Sequence, residues 1–156
     1  MKKLIAVMVL GILIGTASIF AFGIGVQGGG GYGFGGSGYV IGGGALTFKL
    51  DSSPWVFAVD GGWNRISISA DQWFINKPFA SPFNFFVGWG IYVGMGYSGG
   101  NMLAVGGRLP IGINAFFVDG MIEPYFQIVP SVGFSTIPGF DIDLGAAANL
   151  GFRFWF

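Results

Sequence analysis

The chain has no cysteine and no histidine, and only 9% of its 156 residues are charged. Without cysteine there is no disulfide, no thiolate nucleophile and no thiolate metal ligand. Without histidine there is no imidazole ligand and no Ser-His-Asp triad. Nothing in the sequence forms a recognisable nucleophile–base pair, so no catalytic residue is expected and the enzyme reading is poor. No cofactor-binding or metal site is expected either. Seven basic residues balance seven acidic ones, and the two adjacent lysines sit at the extreme N-terminus. No basic patch exists to hold nucleic acid. A soluble domain averages about 25% charged residues. A water-facing surface built from this chain would be poorly solvated.

What is abundant is apolar. Hydrophobic residues make up 53%, aromatics 18%, and there are 31 glycines. The glycines follow no G-X-Y period, so this is not collagen. The high Phe and Trp content argues against a disordered Gly-rich linker. The opening MKKLIAVMVLGILIGTASIFAFG has a short basic start, an apolar run from Leu4 to Ile14, and then small residues. That layout predicts a secretory signal peptide over 1–21, cleaved after Ala21. Beyond it no stretch reaches the ~20 unbroken apolar residues of a spanning helix. A membrane β-barrel, whose apolar face is spread over alternate residues, reconciles export with such hydrophobicity.

Period two is the test. In FNFFVGWGIYVGMG, Phe83, Phe85, Val87, Trp89, Ile91, Val93 and Met95 share one face, while the other is mostly glycine. From Leu103 to Phe117, Leu103, Val105, Leu109, Ile111, Ile113 and Ala115 oppose Arg108, Pro110, Gly112 and Asn114. In the last segment, Leu144, Leu150, Phe152, Phe154 and Phe156 oppose Asp143, Asn149, Gly151, Arg153 and Trp155. The large face is expected to meet lipid and the small, polar face a narrow interior. Eight segments are predicted: 22–28, 39–50, 55–60, 65–75, 83–97, 103–117, 121–134 and 142–156. GGGYGFGGSG, GGWN, SGGN and STIPGFD read as connections at one end. Asp51-Ser52-Ser53-Pro54, NKPFASP and VDG read as turns at the other. Aromatic girdles are expected, with Trp73 and Trp155 in the one nearer the turns. Pro110, Pro124 and Pro130 each predict a bulge or a strand end.

Candidate site residues follow from the inward face. Arg108, Glu123, Asp143 and Arg153, with Asn114, Gln127 and Asn149, form an expected polar network in the lumen. Arg and carboxylate must pair there, because a lone buried charge costs several kcal/mol. The bland reading is a filled interior; the sharper one is a polar pathway. Two G-x-G-x-x-G matches, beginning at Gly23 and Gly31, lie in a glycine tract with no helix to follow, so they carry no dinucleotide site. Asp141 and Asp143 sit two apart with no base partner, so they do not suggest hydrolysis.

GGRLPIGINAFFVD, then IEPYFQIVPSVGF and the closing LGAAANLGFRFWF, resemble a family of small spirochaete outer-membrane β-barrel proteins of uncharacterised function. The resemblance covers Phe83 to Phe156, with Gly107-Arg108-Leu109-Pro110-Ile111-Gly112 as its most specific motif. It implies an architecture like the OmpA/OmpX/OmpW-type barrels. Phe152, Phe154, Trp155 and Phe156 resemble the C-terminal signal that bacterial barrel assembly machinery recognises. The expected protein is therefore all-β: an eight-stranded antiparallel up-and-down transmembrane β-barrel over 22–156, preceded by a signal peptide. It is expected in the outer membrane with both termini periplasmic and lipid as its neighbour. Its role is expected to be structural or surface-binding, with an unknown extracellular ligand; the alternatives are a passive or OmpW-like conduit for small solutes, a host-ligand adhesin, or a soluble exported lipid-binding barrel.

Overall fold

A computed structural model describes residues 21–35, 43–62, 65–97, 102–136 and 139–156. The expected signal segment before Ala21, the SGGN connection and parts of GGGYGFGGSG, GGWN and STIPGFD lie outside the described residues. Nine strands are present: β1 (Phe22–Gly35), β2 (Gly44–Leu50), β3 (Trp55–Gly62), β4 (Arg65–Ala80), β5 (Phe83–Gly96), β6 (Met102–Arg108), β7 (Ile111–Ala115), β8 (Ile122–Ser135) and β9 (Asp141–Trp155). All pairings are antiparallel. β1 pairs with both β2 and β9, and the β4–β5 and β8–β7 pairings complete the circuit. The sheet closes in a ring, so no strand is left as a free edge along its whole length.

Strands β6 and β7 are one stave with a break at Leu109-Pro110. Register is unchanged across the break. Gly90 faces Arg108 before it and Val87 faces Ile111 after it. On the other side Ser131 faces Arg108 and Ile128 faces Ile111. Nine strands therefore make eight staves, as the periodicity predicts. Proline has no N–H to give the ladder, so Pro110 and Pro130 each keep half of a bonded pair. Gly88 still donates to the Pro110 carbonyl at 2.8 Å, and Leu109 to the Pro130 carbonyl at 2.9 Å. Pro110 ends a strand as expected. Pro124 and Pro130 do not: β8 runs unbroken through both and stays paired with β9, because its ladder on that side is intact.

Two predicted connections are strand instead. Gly29 to Gly35 continue β1 and pair with β9 from Asn149 to Asp143. Asn76 to Ala80 continue β4, leaving a turn of only Ser81 and Pro82. The ladder slips between Trp73 and Ile75 and again between Pro78 and Ala80, so Phe74 and Phe79 are bulged out. Asp51–Pro54 and VDG are turns as read; in VDG both Val118 and Asp119 adopt positive φ of 55°. These turns and Ser81-Pro82 share one end of the ring, called the turn end below.

The glycine-rich inward face has a steric cause. An eight-stave ring is just wide enough for side chains to fill. A large inward residue fits only where a neighbouring stave carries no Cβ beside it. A Cβ on Gly151 would lie 2.6 Å from the Tyr125 ring, and one on Gly23 would lie 2.9 Å from the Trp155 ring. Gly112 likewise receives Phe86, and Gly133 receives the Tyr92 hydroxyl.

Candidate functional site

Inward and outward faces separate as the alternation predicts. Arg108, Glu123, Asp143, Arg153, Asn114, Gln127 and Asn149 are all buried. Ile24, Leu46, Ile68, Trp89, Ile91, Ile128, Leu150 and Phe154 are among the many large apolar residues left exposed outside. Among the described residues the exposed charged side chains are Asp51, Lys77 and Asp119, all in the turn-end segments. The other described charged residues are buried or, for Arg65 and Asp141, half-buried. Ala115 departs from its assigned face and is buried.

Two ionic nodes occupy the interior. At the turn end, Arg153 Nη1 meets Glu123 Oε2 at 2.9 Å. Register puts these residues opposite each other on β8 and β9. Trp155 Nε1 donates to the same oxygen at 2.9 Å, and Asn114 Nδ2 donates to Glu123 Oε1 at 2.7 Å. Both carboxylate oxygens are therefore satisfied, as burial of a charge demands. The Arg153 guanidinium lies 4.2 Å from the Tyr125 ring centre and 5.0 Å from that of Trp73. Both separations suit a cation over an aromatic face. Further along the axis Arg108 Nε lies 3.0 Å from Asp71 Oδ1, with both side chains buried. Between the nodes, Gln27 Oε1 accepts from Tyr125 Oη at 2.9 Å and from Gln127 Nε2 at 3.3 Å.

The expected network is thus split. Glu123, Arg153 and Asn114 come together. Arg108 pairs with a residue outside the expected set. Gln127 joins Gln27 and Tyr125, and Asn149 packs its side chain against Gly29. Asp143 lies further along β9, level with Gly133 and Gly35, away from the Glu123–Arg153 pair. Asp71, Lys49 and Gln27 are interior residues that the expected set lacks. The signal for Asp71 is in the sequence: Ser67, Ser69, Asp71 and Trp73 alternate with Ile66, Ile68, Ala70 and Gln72. Trp73 is corrected from the girdle nearer the turns to the interior, where it is 4% exposed and stacks on Phe86 with ring centres 3.8 Å apart. The cause is the same alternation, which puts Trp73 in phase with Asp71.

Phe152, Phe154 and Phe156 point outward, and Trp155 is half-buried. Phe156 N donates to the Phe22 carbonyl at 3.0 Å, and Phe22 N donates back at 3.3 Å. Their rings stack with centres 5.5 Å apart. Ala21 is exposed, and its carbonyl accepts from Asp51 N at 2.9 Å. None of the described residues forms a cluster of three or more acidic side chains able to hold a metal ion. No helix among the described residues is long and apolar enough to cross a membrane, which says nothing of a β-barrel. No protein-family model, curated protein or solved structure matches the chain.

Proposed function

We propose that this chain is a small outer-membrane β-barrel protein with a structural or surface role and an interior largely filled by side chains. One observation carries the reading: the closed sheet leaves its large apolar residues outside and buries Arg108, Asp71, Arg153 and Glu123 within. A water-soluble ring would be arranged the other way, and an exposed apolar surface this continuous marks a contact with something apolar. A 14-residue strand such as β5, at about 3.4 Å per residue and tilted by about 40°, reaches roughly 35 Å. That exceeds the ~30 Å hydrocarbon core of a bilayer.

In this reading residues 1–21 are the signal peptide and the turn end is periplasmic. The exposed polar groups Asp51, Lys77 and Asp119 then lie among lipid headgroups. Phe152, Phe154 and Phe156 face acyl chains and offer the strand that assembly machinery engages. The test is biochemical. The chain without residues 1–21, refolded in detergent, should run at different gel positions when heated and unheated. It should also insert into vesicles. A chain that remains monomeric and folded in plain buffer would refute the proposal.

A further inference from the structure

Interior charge is unevenly shared along the axis of the ring. At the turn end two cations, Lys49 and Arg153, share one buried carboxylate, Glu123. That carboxylate is already saturated by Arg153, Asn114 and Trp155. Lys49 is buried and, among the described residues, forms no ion pair. Its amine donates only to the backbone carbonyls of Ser53 at 3.2 Å and Leu50 at 3.4 Å. It sits 5.5 Å from the Trp155 ring centre and 5.9 Å from that of Trp73. Two further donors beside it lack an acceptor: Trp73 Nε1 and Arg153 Nε are both buried without a hydrogen-bond partner. Asp71, the next carboxylate along the interior, is taken by Arg108, and Asp51 at the mouth is exposed.

Buried donors without acceptors are costly, and an excess of buried positive charge is costlier still. Both are relieved by one partner that brings acceptors and a single negative charge. We propose that the turn end of the interior binds one small monovalent anion, of the size of chloride, held by Lys49, Arg153 and the Trp73 indole N–H. Size follows from the filling. An eight-stave ring is just wide enough for side chains to fill, and the Trp73–Phe86 stack and Tyr125 under Arg153 already occupy it beside these donors, which favours a one-atom anion over a branched one such as gluconate. Valence follows from the count of two cations against Glu123. Lys49 lies beside the turn Asp51–Pro54, so the anion enters from that end. The site rests on interior geometry alone and does not depend on what the outward face meets.

The test is a thermal unfolding series on the full chain, refolded in zwitterionic detergent or in plain buffer, whichever holds it folded. Sodium chloride replaces sodium gluconate at constant ionic strength. Because an anion that binds only the folded state stabilises it by mass action, the midpoint should rise by about 3 °C and saturate. Lys49→Gln should abolish the rise, while Lys77→Gln, on the exposed β4 extension, should retain it. A wild-type midpoint that does not distinguish chloride from gluconate overturns the proposal. So does a Lys49→Gln variant with the wild-type rise. Should Lys49→Gln fail to fold, chloride-35 line broadening on the wild-type chain decides alone. Saturable broadening displaced by bromide supports the site. Its absence means that water alone fills these donors and overturns the proposal.

Discussion

Arg153 and Glu123 stand opposite each other on β9 and β8, and their side chains meet at 2.9 Å with 1% and 0% exposure. The contact ties the stave that closes the ring to the one before it, and Trp155 and Asn114 bind the same carboxylate. Loss of one member leaves the other charge buried and unpaired, at a cost of about 3–5 kcal/mol. Glu123→Gln should therefore lower unfolding stability by about 3 kcal/mol in a denaturant titration. Combining it with Arg153→Met should restore most of that loss. Equal loss in the single and double variants would mean that packing, rather than charge, sets the cost.

The glycine sockets make a sharper steric prediction. Gly151→Ala places a Cβ against the Tyr125 ring, and overpacking of this kind costs about 1–3 kcal/mol. Tyr125→Ala also destabilises, through the cavity it leaves. The two changes together should cost less than the sum of the separate costs, by about 1 kcal/mol in a double-mutant cycle. Simple additivity would mean that Gly151 is not a socket for Tyr125.

Pro130 forfeits one ladder bond and retains another through its carbonyl. Pro130→Ala supplies the missing N–H opposite Leu109. The new bond and the greater freedom of the unfolded chain oppose each other at about 1 kcal/mol each. Stability should change by less than about 1 kcal/mol, and the new amide should be protected in hydrogen exchange. Rapid exchange at residue 130 would show that the break at Leu109-Pro110 has a cause beyond the missing donor.

The faces of β5, β8 and β9 were legible because large apolar residues alternate there mostly with small or polar ones, despite inward Phe86, Tyr92 and Tyr125. Phe83, Trp89, Arg153 and Phe154 fall where period two puts them. Signal failed where alternation has no physical carrier. From Gly29 to Gly33 only Tyr32 has a side chain, so strand and loop read alike, and the pairing with β9 decides. Around NKPFASP the pattern loses phase twice, because the bulges at Phe74 and Phe79 each insert one residue. The turn chemistry of Asn76, Pro78 and Ser81 then outweighed a strand that tertiary pairing holds. Within the site, the Glu123–Arg153 pairing needed the β8–β9 register, and the Arg108–Asp71 ion pair needed the side-chain positions. Neither is contained in residue spacing.

The central claim is that the outward face meets acyl chains while the inward face does not. Two tryptophans read it directly. Trp89 is outward on β5 and 45% exposed; Trp73 is inward on β4 and buried. Single-tryptophan variants retaining one or the other are reconstituted into vesicles whose lipids carry brominated acyl chains, which quench only rings in contact with them. Trp89 fluorescence should be strongly quenched and Trp73 fluorescence largely spared. Equal quenching of the two, or no quenching of Trp89, would contradict the account.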